Sequence, residues 1–269
     1  MDIDGMVIEI LASKKYGSID ASVVERICKE TAAKFPKAKD ALKAAKNELH
    51  IIHEAFLYNG CHKKARAFLS QLTSGFSKEQ LDDVCIQIMQ LHASTKERIE
   101  QIREIYSYLS RHITCCSTVM DIGCGFSPFA LPLLFEKPGA YIAYDINRET
   151  IELLNEFFSI TQSTLYEARL LDAASTTPDV SADIVLLFKL LPILQQQKKG
   201  RGFSLLAELT FQKMIISFPL KSMTGKGKGM ELFYSSLMES NLPPSLRIID
   251  IQSFSNEMFY VVDKIIKRE

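Results

Sequence analysis

Ser117-Thr118-Val119-Met120-Asp121-Ile122-Gly123-Cys124-Gly125-Phe126-Ser127-Pro128 decides how the rest of the chain is read. A short β-rich run passes into a glycine-bearing turn and then into a proline suited to a helix start. Glycines at such a junction let the backbone pass close beneath a ligand. About 20 residues on, a second run, Tyr141-Ile142-Ala143-Tyr144, ends in Asp145. An acid at that point faces the crevice of a doubly wound sheet, where it can accept from both hydroxyls of a ribose.

Outward from this junction, further buried-strand runs alternate with helical stretches. They are Leu165 to Leu171, Ile184 to Phe188 and Met214 to Phe218. Leu246 to Ile251 and Met258 to Val262 are joined only by the polar stretch QSFSNE. A parallel pair needs a crossover of about a dozen residues or more, so this last pair is antiparallel. The fold class read from 113–269 is α/β, Rossmann-like, mostly parallel, with a C-terminal antiparallel hairpin. Residues 1–112 carry helical periodicity instead. Asp20 caps a helix that Pro36 closes, and KAKDALKAAKNELHIIHEAFL is rich in helix formers. Helices also follow over Cys61 to Leu72 and Ser77 to Leu91. Ser94-Thr95-Lys96-Glu97 fits a capping box opening a helix to about His112, with Ile99, Ile102, Ile105 and Tyr106 inward.

The chain has 269 residues, 47% hydrophobic and 24% charged, which excludes a disordered or low-complexity protein. No apolar run is long enough for a membrane-spanning helix. The start, MDIDGMVIEI, has acids where a secretory signal has bases, so a cytoplasmic protein is expected. Six cysteines contain no CxxC pair, and His50, His53, Cys61 and His62 fall into no metal-ligand pattern. No metal is expected. No exposed heptad or large apolar stripe calls for a dimer, so a monomer is expected.

The turn also narrows the cofactor. A nicotinamide fingerprint requires G-x-G-x-x-G, and Pro128 stands at the third glycine position. S-adenosylmethionine has no pyrophosphate to cradle and tolerates the change; a hairpin-ended sheet suits it as well. A nicotinamide enzyme and a non-catalytic RNA-binding relic stay as alternatives. Asp172, beyond the third strand, has two readings: acceptor for an adenine amino group, or a loop acid capping its own turn.

Several strings then resemble a family, the aminoglycoside-resistance 16S ribosomal RNA (guanine-N7) methyltransferases. They are Ile10-Leu11-Ala12-Ser13-Lys14-Lys15-Tyr16, Leu91-His92-Ala93-Ser94-Thr95-Lys96-Glu97-Arg98, Phe188-Lys189-Leu190-Leu191-Pro192, and Ile216-Ser217-Phe218-Pro219-Leu220-Lys221-Ser222 with Gly225 and Lys228-Gly229-Met230-Glu231. Order and spacing agree along nearly the whole chain. Ser127 departs from the pattern, since several relatives carry Asn there. The resemblance implies a helical domain over 1–112 that docks on the 30S subunit and a class I methyltransferase domain over 113–269. It implies methylation of guanine N7 in the decoding site of 16S rRNA. It also implies that Arg98 holds the cofactor's methionine carboxylate, Gly123 lines the cofactor, Asp145 binds the ribose, Leu171 and Asp172 frame the adenine, and Leu190 and Gln196 close the pocket.

Guanine N7 carries a lone pair and no proton, so no general base is required; orientation supplies the catalysis and no catalytic residue is nominated. His92 reads as a helix-end packing residue. Phe218, Lys221 and Glu231 are candidates for the target-base pocket, with Phe218 either stacking on a flipped guanine or simply ending the core of its strand. The Lys221 to Glu231 loop, with Lys226 and Lys228 among three glycines, is either a phosphate-binding loop at the ligand edge or a solvated one. From Lys14 to Arg66 twelve Lys or Arg face six acids. Lys14, Lys15 and Lys37 are among the candidates for RNA phosphates in that segment. The formal net charge of the chain is nonetheless zero, so the excess is local.

Overall fold

The computed structural model describes residues 2–54, 56–58, 60–72, 75–221 and 229–265. Three helices open the chain: α1 (Ile3–Leu11), α2 (Ala21–Lys34) and α3 (Ala38–Leu49), which runs on into a π-helical turn, His50–Glu54. Asp20 does cap α2, its carboxylate accepting from the Ser22 N–H at 2.9 Å. This bundle has a core of its own, in which Ile10, Ile19, Val24, Ile27 and Leu49 are fully buried.

Next come α4 (Cys61–Leu69), α5 (Lys78–Met89), α6 (Ala93–Lys96) and α7 (Ile102–Leu109). The single helix expected from Ser94 to His112 is in fact α6, a 3-10 turn at Ile99–Gln101, and α7. The capping box at Ser94 is absent: His92 holds the N-cap position, and Ser94 lies inside α6. The causes are tertiary. Ala93 N–H donates to the Phe56 carbonyl at 2.8 Å, which starts the helix early. Glu97, the acid the box needs, instead takes the Lys189 ammonium at 2.6 Å. Of the four residues expected inward, Ile102, Ile105 and Tyr106 are buried and Ile99 is half-buried.

The remaining elements are β1 (Thr118–Ile122), β2 (Ala140–Asp145), α8 (Arg148–Ile160), β3 (Tyr166–Leu170), β4 (Ser181–Phe188), α9 (Leu190–Gln197), α10 (Arg201–Glu208), β5 (Thr210–Pro219), α11 (Met230–Asn241), β6 (Leu246–Ser253) and β7 (Glu257–Lys264). They build a seven-stranded sheet in the order β3-β2-β1-β4-β5-β7-β6. All pairs are parallel except those of β7, which runs antiparallel to both β5 and β6. The order reverses between β1 and β4, so their carboxyl ends diverge and open a crevice. The segment after β1 is a 3-10 helix, Ser127–Leu133, with Pro128 in its first turn and Pro132 inside it.

Strand alternation sorts the cores. Val119, Ile184, Leu186 and Ile215 face α4, α5, α7 and α8 in one cluster. Met120, Val185, Leu187, Met214 and Ile216 face α9, α10 and α11 in another. Helices α4, α5 and α7 thus share a core with the sheet, and the change of period near residue 112 does not coincide with a change of core. Among the described residues no helix is long and apolar enough to cross a membrane.

Candidate cofactor and active site

Gly123 leaves β1 with φ +69°, and its N–H donates to the Tyr144 carbonyl at 2.8 Å. A Cβ there would be strained at this φ and would stand 2.8 Å from Leu190 Cδ1, so a larger residue would have to displace the Leu190 side chain at this wall. Gly125, at φ +50°, donates its N–H to Asp145 Oδ2 at 2.9 Å, while Asn147 N–H donates to Oδ1 at 3.0 Å. The backbone therefore fixes both carboxylate oxygens of Asp145. Burial raises its pKa, and these N–H groups work against that rise.

Between these elements lies a cleft with about 840 Å³ of open space, its mouth included. Gly123, Gly125 and Asp145 form one side; Leu171, Asp172 and Ala173 form the end beyond β3; Phe188, Lys189 and Leu190 close it from β4. The roof comes from the N-terminal helices: Val23, Ile52, His53, Phe56 and His92. A slot with an acid at the end of β2, a second acid beyond β3 and an apolar wall fits an adenosine of the S-adenosylmethionine type.

Gly123, Asp145, Leu171, Asp172 and Leu190 thus come together in one cleft. Gln196 does not: it faces a separate depression beside Ala44 and Glu48, while its neighbour Gln197 lines the cleft. The helical period of α9 accounts for the difference, because Leu190, Ile193, Leu194 and Gln197 share one face. Asp172 caps its own turn through the Ala174 N–H at 3.1 Å, and also pairs with Arg26 of α2 at 2.6 Å.

Arg98 stands behind the Phe188 wall and does not line the cleft. It is 1% exposed and sits in the break between α6 and the 3-10 turn, not in a regular helix. Nε and Nη2 donate to the two carboxylate oxygens of Glu257 at 2.7 Å each, Nη1 donates to Ser127 Oγ at 2.9 Å, and Phe188 lies 4.8 Å beneath the guanidinium. Burial opposes the charge, but Glu257 raises the arginine's pKa above its ordinary value. Burial likewise opposes the Glu257 carboxylate, while Arg98 and then Lys189 hold its pKa below the usual range. Ser217 Oγ also donates to Glu257, and Lys189 Nζ lies 3.4 Å from it.

Phe218 is wholly buried, stacked on Tyr234 at 4.6 Å and edge-on to Tyr260. The stacking role for a flipped base is therefore corrected in favour of the core role: both neighbours of the ring are already protein. Lys221 is exposed at the ligand edge. Glu231 is exposed in the first turn of α11 and accepts from Ser253 Oγ at 3.2 Å. Lys226 and Lys228 lie outside the described residues. Lys14, Lys15 and Lys37 are exposed on the N-terminal bundle. His92 packs between Phe56 and Phe126, and burial lowers its pKa to about 3, so it is neutral.

Sequence reasoning missed Lys189, Glu257, Arg26 and Gln197. Lys189 had a signal, because a lysine directly beyond a parallel strand sits on the ligand edge. Glu257 had one as well: an antiparallel β7 brings its first residue, not its last, to that edge. Arg26 had none, since its partner is 146 residues away.

The profile of the FmrO ribosomal RNA methyltransferase family matches residues 12–261. The chain belongs to this family. A 16S rRNA (guanine(1405)-N(7))-methyltransferase of Serratia marcescens is 32% identical over 98% of this chain and 99% of its own. One of Micromonospora echinospora is 29% identical over 97% of each. Among solved structures, the 16S rRNA methyltransferase RmtF in complex with S-adenosyl-L-homocysteine superposes with a TM-score of 0.88 at 32% identity, covering 98% of each chain. The 16S rRNA methylase RmtB gives 0.82 at 28% identity over 98% of this chain and 99% of that one. Membership in this methyltransferase family implies S-adenosylmethionine as the methyl donor and excludes a nicotinamide reading of the glycine turn.

Proposed function

We propose that the protein methylates N7 of a guanine in the decoding site of 16S rRNA, on the assembled 30S subunit, and so confers aminoglycoside resistance. The observation that carries this is the cleft at the strand-order reversal, with Gly123 and Asp145 at its wall, in a chain matching ribosomal RNA methyltransferases over nearly its whole length.

S-adenosylmethionine, when bound, supplies a methyl group on a positively charged sulfur. Asp145 holds the ribose, Asp172 and Leu171 hold the adenine, and Leu190 with Gln197 covers it. Arg98 and its Glu257 brace stand at the methionine end. That buried pair keeps the wall next to the reacting atoms rigid. His92, neutral through burial, accepts no proton near neutral pH, and guanine N7 has none to give. The chain's task is thus to hold the base in line and exclude water. Lys221 and Glu231 stand at the rim where the base enters.

Lys14, Lys15 and Lys37 are proposed to hold RNA phosphates, together with Lys221, Lys226 and Lys228. Such contacts position the enzyme without reading sequence. Recognition then rests on the folded shape of the subunit. The enzyme acts as a monomer. Labelled methyl transfer to intact 30S subunits and to protein-free 16S RNA tests this reading. Efficient labelling of subunits and little of free RNA is expected; equal labelling would overturn recognition by shape.

A further inference from the structure

We propose that Arg26 is a positioning residue of the cofactor site, holding Asp172 so that a purine amino group can be told from a purine carbonyl. This rests on the cofactor reading above and adds a part of the site supplied by the N-terminal bundle.

Arg26 lies on α2, one turn beyond Val23, which lines the cleft. Its Nε donates to Asp172 Oδ2 at 2.6 Å and its Nη2 reaches Oδ1 at 3.3 Å. Nη2 also donates to Gln197 Oε1 at 2.8 Å, so one guanidinium ties both polar side chains at this end of the cleft. The Asp172 side chain is 7% exposed, and that of Arg26 is 16% exposed. Asp172 stands in irregular chain beyond β3, where its own turn supplies only the Ala174 N–H. Without Arg26 the carboxylate would be nearly buried with its charge unpaired and free to turn outward. With Arg26 in place, its rotamer is held and a lone pair of Oδ2 is left for a donor in the cleft. An adenine amino group donates; the carbonyl of hypoxanthine repels the same oxygen.

The same bundle also grips the chain just after Asp145. Asp20 N–H donates to the Ile146 carbonyl at 2.8 Å, and Asn147 Nδ2 donates to Ser18 Oγ at 2.8 Å. Both acids of the cleft are thereby braced from the bundle that carries Lys14, Lys15 and Lys37.

The test is equilibrium binding of S-adenosylhomocysteine and S-inosylhomocysteine to the full chain, as wild type, Arg26→Ala, Arg26→Gln and Arg26→Lys. Wild type is expected to prefer the adenosyl ligand about tenfold or more, the yield of one hydrogen bond to a charged group. In Arg26→Ala the adenosyl ligand weakens by about that factor, the inosyl ligand changes little, and the preference collapses. Lysine restores part of it. If the alanine variant fails to fold, Arg26→Gln, which keeps donors and loses the charge, is expected to show the same collapse. An equal loss for both ligands would make Arg26 merely structural and overturn the proposal, as would an unchanged preference. Failure of wild type to bind either ligand is a different result, and it would sink the cofactor reading itself.

Discussion

Glu257 holds Arg98 through both carboxylate oxygens where neither side chain reaches water. Removing one partner of such a pair leaves an uncompensated buried charge. Glu257→Ala is therefore expected to destabilise the fold by about 3–5 kcal/mol, read as a shift in urea midpoint. Gly123→Ala meets two obstacles, a left-handed φ and Leu190 at 2.8 Å, so it should weaken S-adenosylhomocysteine binding about tenfold or more in calorimetry. Asp121 makes a further prediction. It is wholly buried, accepts from Tyr141 Oη at 2.6 Å, and burial raises its pKa from 3.8 to about 7. The folded state thus binds its proton more tightly than the unfolded chain does. That contribution to stability is complete below about pH 4 and is lost as pH rises through about 7. His92 has the opposite sign: its folded pKa of about 3 lies below the ordinary 6.5, so its contribution falls as pH drops from 6.5 toward 3. Asp121→Asn keeps an acceptor for Tyr141 and isolates the first effect. Its stability relative to wild type should improve between pH 5 and pH 8 in urea titrations; a difference independent of pH would contradict the assignment.

Strands β1, β2, β4, β5 and β7 were readable because each buries alternate residues in different cores, and apolar runs of four to seven residues suit a buried strand but are too short for a helix. The acid at the end of β2 was readable for the same reason: strand and turn fix where Asp145 must be. The stretch from Ala93 to Leu109 was not. Its start depends on a backbone hydrogen bond to Phe56 and its capping acid is drawn to Lys189, both decided by chain far away. Glu257 hid within a stretch that reads only as a hairpin turn until the direction of β7 is known. Phe218 is the penultimate residue of β5, packed between Tyr234 and Tyr260. Phe218→Ala should cost about 3–5 kcal/mol of stability, measured by denaturation, while the protein that remains folded binds S-adenosylhomocysteine as wild type does. Selective loss of RNA methylation in a fully stable variant would restore the stacking role.

The molecule joins a small helical core to two larger ones on the two faces of the sheet, and the cleft lies where they meet. No local pattern could announce that meeting: Val23, Arg26 and Phe56 converge on Asp145 and Asp172 only in three dimensions. The division of labour has a measurable consequence. Lys14→Glu, Lys15→Glu and Lys37→Glu together should lower affinity for 30S subunits, and the variant should lose less affinity than wild type as salt is raised. Binding of S-adenosylhomocysteine should stay unchanged, because these side chains are exposed and absent from the cleft lining. The most direct measurement is methyl transfer from labelled S-adenosylmethionine to purified 30S subunits, followed by mapping of the modified base in 16S rRNA. The expected result is 7-methylguanine at one decoding-site position, abolished by Asp145→Ala. Absence of label, or label on another base or atom, would contradict the assigned function.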